Sequence, residues 1–597
     1  MLPLILLAPL LAAIALIAIL GNSRRVKFVA LAGSLASLAL YPLVSSGVSN
    51  AAWFSLGQYT FSFATMVTPL NRLLLLVVLS IAPLILSYSA GFMDVRSEQR
   101  RFYIEMLGFE SAMLTFAMSG SVIMLFLAWE YLSLTSYLLI GFWYQKEQAA
   151  KAALKAISII LIGDIALLAA IVVLWSAAQS FSYAAILAAA QSGSTAIAIA
   201  AALLAVAIFT KSAQFPFHEW LVDAMEGPTP VSAFLHSSTM VKAGVFTAII
   251  LFPLFAAVKM NYLFILFGAV TAVISTLNAM RERHVKRVIA YSTIQELSLM
   301  LVAVGANALL AAILFFFVQS FYKALLFFSA GSMMKATDSE DIYEISGLRQ
   351  NKLVFLTTLL GVLSLAGLVP LSGFFSSSAI DASLSTNLPV YALFSIMSFA
   401  TSFYIFRWFF LPMRPSKSSG VSVNYTILPK PMTYSMAVMA AMMLASAAAF
   451  LFLPGFLNDG SLQYVKFVPV TPGIIDSAIE TGLVLFGLAL AFLIYHRKSM
   501  HPNPRGIGRI AYTRNLFEDG VYKYAAIFFS SLAEVFTLFD TYVSDSFDFI
   551  GVVFTSIASR IKYVASGDIN AYVAVFSVGA IVAFAALFAY LYMTTMI

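Results

Sequence analysis

Apolar residues come in runs of about 20 along most of the chain, and the charges sit in the stretches between them. About 20 apolar residues is what a helix needs to cross the hydrocarbon of a bilayer. The pattern predicts about sixteen spans: 2–20, 28–47, 70–92, 103–118, 120–143, 153–175, 195–226, 229–252, 260–279, 286–304, 308–334, 352–382, 389–411, 432–453, 473–495 and 570–595. Two of them are interrupted. The seventh breaks at "KSAQFPF", around Pro216, and the twelfth at "GLVPLSGFF", around Pro370 and Gly373. Backbone groups freed by a break are tolerated in a membrane only beside protein or water. Broken spans at corresponding positions point to an internal repeat, often inverted, with an ion path at the breaks. The alternative is two unrelated proline kinks.

The stretch 516–562 follows another rule. Its apolar positions (among them Val521, Tyr524, Phe528, Leu532, Val535, Phe539 and Val543) recur at helical spacing. Lys523, Glu534, Asp540, Asp545, Asp548 and Arg560 lie between them. A helix of this length runs roughly 70 Å, more than twice the hydrocarbon thickness. It is expected to lie along the membrane surface, apolar stripe down. It is either an ordinary interfacial helix or a strut docked onto neighbouring subunits.

Basic residues test the span count. Arg24, Arg25, Lys27, then Arg96, Arg100, Arg101, then Lys146, Lys151, Lys155, and later Arg281, Arg283, Lys286, Arg287 mark alternate loops. The alternation continues through Lys335, Arg349, Lys352, then Arg414, Lys417, Lys430, and then Arg497, Lys498, Arg505. By the positive-inside rule these loops are cytoplasmic, which leaves both termini outside and 516–562 on the cytoplasmic side. The first run, Leu2–Leu20, has no basic residues before it and no small-residue cleavage site after it, and is expected to be a retained helix.

Composition agrees with the pattern. Of 597 residues, 61% are hydrophobic and only 10% charged, too few to solvate a soluble protein of this size. There is no cysteine, which removes thiolate-held clusters and disulfides from this chain. His218, His236, His284, His496 and His501 show no metal-ligand spacing. No cofactor is therefore expected on the chain itself. A net charge of +7 spread over loops reports topology and implies no nucleic acid.

The chemistry lies in the ionisable residues that remain inside the spans. They are Glu130, Asp164, Lys211, His236, Lys242, Glu296 and Lys323, with Asp381 after the second break. A charge at the centre of a bilayer costs roughly 2.5–3.5 kcal/mol on insertion scales, so such residues are normally kept for use. Spread over separate helices, acids alternating with bases suit a proton relay. Glu130 with Lys211 is the candidate switch pair. His236 and Lys242, six residues apart, are expected on different faces of one helix. For any one of these residues alone the alternative is a buried structural ion pair. His218 and Glu219, where the first broken span resumes, are secondary candidates.

These residues sit in motifs that resemble a known family. "WEYLSLTSYLLIGFWY" (129–144) and "KSAQFPFHEWLVDAMEGPTPVSAFLHSSTMVKAGVF" (211–246) look like the signature of the antiporter-like subunits of respiratory complex I and their Mrp-type relatives. "KRVIAYST" (286–293), "FYKALLFFSAGSM" (321–333) and "GLVPLSGFFS" (367–376) continue the match. The tail, 473–597, resembles that of the L-type members. The resemblance implies an all-α polytopic fold with two inverted five-helix repeats and a long C-terminal lateral amphipathic helix. It divides the chain into 1–102, an N-terminal three-helix segment; 103–252 and 260–411, the two repeats; 412–513, peripheral helices; 514–564, the lateral helix; and 565–597, an anchoring helix.

It also implies a proton-translocating membrane-arm subunit of a complex I-like quinone oxidoreductase in the cell membrane. Its lateral helix would hold M- and N-type siblings, and quinone, iron–sulfur clusters and flavin would lie in partner subunits. A subunit of a Mrp-type sodium/proton antiporter or of an ion-pumping membrane hydrogenase is the second reading. Three departures stand out. Phe315 and Gln319 replace the family's histidines before Lys323. Glu296 stands where a glutamine is usual. Ser376–Ser378 stand where the outer lysine is expected, and Asp381 is the nearest ionisable group there.

Overall fold

The computed structural model describes residues 2–56, 59–93, 98–384, 387–415, 425, 428–458 and 473–497. These belong to one unit, Met1–Met500. The lateral helix expected at 514–564 and the final helix at 565–597 lie outside the described residues.

The helices are α1 (Leu7–Leu20), α2 (Val26–Leu40), α3 (Pro69–Phe92), α4 (Gln99–Ala117), α5 (Val122–Ile140), α6 (Glu147–Ala178) and α7 (Tyr183–Ala190). Then come α8 (Thr195–Lys211), α9 (Glu219–Asp223), α10 (Thr229–Ser237), α11 (Met240–Ile250), α12 (Phe252–Ala257), α13 (Tyr262–Arg281) and α14 (Val285–Gly305). The rest are α15 (Leu309–Thr337), α16 (Lys352–Leu365), α17 (Ser372–Leu384), α18 (Leu388–Phe410), α19 (Lys430–Ser446), α20 (Ala449–Asn458) and α21 (Ile474–Ala491). Among the described residues, eleven spans are long and apolar enough to cross a membrane, twelve if α19 and α20, bent by 64°, count as one. α8 and α16 are shorter because each is one limb of a broken span. α4 is long enough, but Arg100, Arg101, Glu105 and Glu110 lower its apolar character. This is a multi-pass, helical membrane protein.

Among the described residues, one hairpin is not helical. β1 (Gly47–Leu56) and β2 (Tyr59–Val67) form an antiparallel hairpin in register Gly47↔Val67 through Leu56↔Tyr59, irregular between Ala52 and Phe54. The helical polytopic fold is as expected, and the hairpin qualifies only the expectation that it would be all-α. Phe61, Phe63, Thr65 and Val67 recur every second residue, the strand period. β2 is tied to the α4–α5 loop, where Met66 N–H donates to Met118 O (2.9 Å) and Gly120 N–H to Ala64 O (2.9 Å).

A second correction concerns 229–252. His236 and Lys242 do not share one continuous helix. The span is interrupted between Ser237 and Met240, with Thr239 at φ −128°, ψ −117°. Thr239 donates its hydroxyl to Phe234 O at 2.6 Å, and hydroxyl side chains that bond the backbone compete with the helical ladder.

α10 and α11 are buried along their whole length, α14 at every residue but Arg287, and α15 nearly so, whereas α1, α2 and α6 expose apolar side chains outward. Polar residues in this interior bond one another, as Gln295 of α14 does with Thr401 of α18 (2.7 Å), or bond freed backbone. Arg407 of α18 shows the second option. It donates to the carbonyls of Met280 (2.6 Å), Ala279 (3.1 Å) and Glu282 (2.5 Å), closing the C-terminal end of α13 where carbonyls lack helical partners.

Candidate proton-relay site

α8 ends on Lys211, so the lysine meets the carbonyl end of a helix, which favours a cation. The chain then leaves the helix through Ala213 (φ 52°) and the cis Phe215–Pro216 bond and resumes as α9. Neighbours satisfy the freed backbone. Phe215 N–H donates to Thr271 Oγ1 (2.9 Å), and Trp220 Nε1 donates to Thr210 O (2.9 Å). Glu219 and Asp223 of α9 both hold Lys155 of α6, at 2.9 and 2.7 Å.

The Lys211 ammonium is fully buried. Its Nζ donates to Ser133 Oγ (2.6 Å) and Trp129 O (3.1 Å) and lies 4.7 Å from the centre of the Trp129 ring. Its carboxylate partner is Asp164 Oδ1 at 4.0 Å, and not Glu130, with which it makes no ion pair among the described residues. Asp164 accepts from Trp129 Nε1 (2.6 Å) and from Ser133 Oγ (3.0 Å). Glu130, half-buried on α5, is within electrostatic reach of both Lys211 and Asp164. Ser133 accepts from the lysine and has one proton to give, either to Asp164 or to Trp129 O at 3.1 Å. It is thus a hydroxyl bridge along which a proton can pass from ammonium to carboxylate.

Gly163 explains why Asp164 arrives there. A Cβ on Gly163 would stand 1.7 Å from Thr210 Oγ1, so the missing side chain lets α6 close on α8 beside Lys211. Gly163→Val is expected to push the helices apart and cost about 1–3 kcal/mol. Lower thermal stability of the purified protein, with Asp164 drawn away from Lys211, would register it. A variant as stable as the parent would show that the contact is loose.

The second group lies on α11, α14 and α15. Lys242 Nζ donates to Phe316 O (2.6 Å) and to Ser320 Oγ. One turn along α15, Lys323 Nζ donates to Glu296 Oε2 (2.9 Å) and to Ser292 Oγ (2.6 Å). Glu296 also accepts from Gln319 Nε2 (3.0 Å) and Tyr322 OH (3.2 Å). Lys242 and Lys323 are fully buried and Glu296 nearly so, which rules out Lys323 snorkelling to a surface. His236 packs its ring 4.8 Å from that of Phe327, and neither of its nitrogens has a hydrogen-bond partner among the described residues.

Asp381 stands apart from both groups. It is buried on α17, beside Glu480 and Asp476 of α21. Sequence reasoning missed Glu480, Ser133, Ser292 and Ser320. A glutamate inside an apolar span was a readable signal for Glu480. The serines became visible only once the helices were packed.

The fold and this series of buried acids and bases define a multi-pass membrane protein that keeps ionisable side chains in its interior. The family described as "NADH:quinone oxidoreductase/Mrp antiporter, TM" matches residues 119–407, and "NADH-Ubiquinone oxidoreductase (complex I), chain 5 N-terminus" matches 53–103. The NAD(P)H-quinone oxidoreductase subunit 5 of Nephroselmis olivacea (chloroplastic) is 32% identical over 476 residues, which cover 74% of this chain and 72% of that protein. The homologous proteins of Paulinella chromatophora and of Synechocystis sp. are each 33% identical. The first match covers 67% of this chain and the second 63%. This chain spans 62% and 59% of those two proteins' lengths. In fold, the chain resembles the structure of the Mrp complex from Dietzia sp. at a TM-score of 0.73 and 23% identity, over 90% of this chain and 60% of that one. It also resembles the archaeal membrane-bound sulfane sulfur reductase at 0.67 and 18%, over 82% of this chain and 99% of that one. The chain belongs to the complex I/Mrp antiporter-like family, as an L-type subunit.

Proposed function

We propose that the chain is the distal, proton-translocating L-type subunit of a complex I-like quinone oxidoreductase. The observation that supports this most is the buried series Lys211–Asp164, Lys242, Lys323–Glu296, on a chain whose relatives are named as quinone oxidoreductase subunits. In this reading the chain has sixteen spans. Residues 103–252 and 260–411 are inverted repeats, 1–102 and 412–513 flank them, 514–564 grips M- and N-type siblings, and 565–597 anchors the tail. The basic loops face the cytoplasm of a cell membrane. Quinone, iron–sulfur clusters and flavin belong to partner subunits.

A proton enters near Glu130, is held by Lys211, and is shed through Ser133 when the charge on Asp164 or Glu130 changes. It passes by His236 and Lys242 to Lys323 and Glu296, and leaves on the side of Asp381. Each charge moved against 100 mV costs about 2.3 kcal/mol. The drive must therefore come from redox chemistry in the partners.

The likeness to the Mrp complex over 90% of the chain favours a second reading, a subunit of a sodium/proton antiporter. Gentle purification from native membranes, followed by mass spectrometry of the co-purifying proteins, separates the two. Iron–sulfur and quinone-site subunits beside two antiporter-like siblings are the expected result. Small antiporter subunits with no redox arm would favour exchange. Hydrogenase or sulfur-reducing subunits would keep the pump and change the chemistry that drives it.

A further inference from the structure

We propose that Glu480 is the outer proton-relay carboxylate of this chain, receiving the proton of the Lys323–Glu296 pair through a cavity at the α16–α17 break. The inference rests on the proton-translocating reading above.

The chain has Ser377 on α17 where the family pattern places a lysine, and that loss leaves Lys323–Glu296 with no basic residue beyond it at this break. The structure offers a replacement from another helix. A cavity of about 40 Å³ is lined by Glu296, Tyr322, Gly367, Ser377, Thr401 and Glu480, among others. That is room for about two water molecules, and carboxylates and hydroxyls in the lining give them partners, where an apolar cavity would stay dry. Both carboxylates that line it are buried.

Glu480 is built into the break. Ser378 donates its hydroxyl to Glu480 Oε2. Gly367 (φ 77°) turns the chain at the break, and a Cβ there would stand 3.6 Å from Glu480 Oε1 and 3.3 Å from Ser377 Oγ. The space a side chain would fill is thus left beside the carboxylate. Beyond it lies buried Asp381, whose Oδ1 has no hydrogen-bond partner among the described residues. Asp476, in the first turn of α21, follows. It is partly exposed and accepts from Tyr391 OH at 3.1 Å. Residues 459–472, which precede α21 in the sequence, carry one basic residue, Lys466, and count among the stretches poor in basic residues, on the outer side in this reading.

The transfer balances without any other reactant. Lys323 loses an N–H bond as Glu296 gains an O–H. Glu296 then passes that proton to cavity water, water passes one to the Glu480 carboxylate, and Glu480 becomes a neutral acid. Asp381 and Asp476 take it onward in the same way.

The alternative is that Glu480 only fastens α21 to α17 through Ser378. Glu480→Gln in the whole reconstituted complex separates the two, because glutamine still accepts from Ser378 and cannot relay. The expected result is a fall in proton translocation of about tenfold or more, with assembly and quinone reduction capacity retained. Adding Ser377→Lys should restore much of it, since an ionisable group then lines the same cavity. Parental translocation in Glu480→Gln, with Lys323→Met inactive, would overturn the inference and leave the proton reading standing. Parental translocation in both would overturn both. Should Glu480→Gln fail to assemble, Glu480→Asp decides by infrared difference spectroscopy on energising the complex. A shifted carboxylic-acid C=O band supports the relay, and an unshifted one removes it.

Discussion

Lys211→Ala is expected to stop proton translocation by the assembled complex, a loss of about 10²-fold or more. Among the described residues, Lys211 is the only lysine paired with Asp164, and its Nζ reaches both Ser133 and the carbonyl of Trp129. Alanine removes the proton-binding group and leaves Asp164 buried without a countercharge. Stripping one partner from a buried pair costs about 3–5 kcal/mol. Here the cost should fall at the low end, because Trp129 Nε1 and Ser133 still bond Asp164 and the pair is 4.0 Å apart. Lys211→Ala with Asp164→Asn should therefore recover stability and still not pump. Lys211→Arg makes the complementary point, since a guanidinium keeps the charge and does not release its proton. Proton uptake into proteoliposomes, measured beside the rate of quinone reduction, reads all three. Normal pumping in a folded Lys211→Ala complex would remove Lys211 from the relay.

Which ionisable residues lie inside the spans was readable in the sequence, and which of them touch was not. Charges inside apolar runs stood out because hydrocarbon does not tolerate them without a reason. All of Asp164, Lys211, Lys242, Glu296 and Lys323 proved buried. Pairing is set by helix rotation and close approach. Glu130 and Asp164 are both one carboxylate in one span, and nothing in their spacing ranks them as partners for Lys211. The decision falls to Gly163, whose missing side chain brings α6 against α8. Both proline breaks were legible, since Pro216 and Pro370 interrupt otherwise apolar runs. The interruption at Ser238–Thr239 was not, because hydroxyl residues stay helical unless a carbonyl such as Phe234 O captures them. The hairpin was overlooked for another reason. Its alternation lies between two strong helical runs, and a search for spans passes over ten-residue strands. Glu480 was passed over because its partners, Ser377 and Ser378, are about a hundred residues away in the chain.

The two lysine–carboxylate pairs differ in how they are joined, and that difference predicts the largest effect in the second group. Asp164 reaches Lys211 mainly through Ser133, whereas Glu296 touches Lys323 at 2.9 Å and takes two further donors from Gln319 and Tyr322. A carboxylate with three donors is well satisfied as an anion, so replacing it disturbs more. Glu296→Gln is expected to destabilise the complex more than Asp164→Asn does. Its amide oxygen can take the place of Oε2 before Lys323 and Gln319, with N–H₂ turned to the Tyr322 hydroxyl, but Lys323 would be left as a buried cation without its carboxylate. Pumping should fall about tenfold or more, since glutamine offers no carboxylate to take the proton of Lys323. Adding Lys323→Met removes the stranded cation, so the double variant should regain stability without regaining transport. Thermal unfolding of the purified complex and proton uptake in proteoliposomes test the two halves separately. Unchanged pumping in Glu296→Gln would make the pair a fastening between α14 and α15, with the proton path running elsewhere.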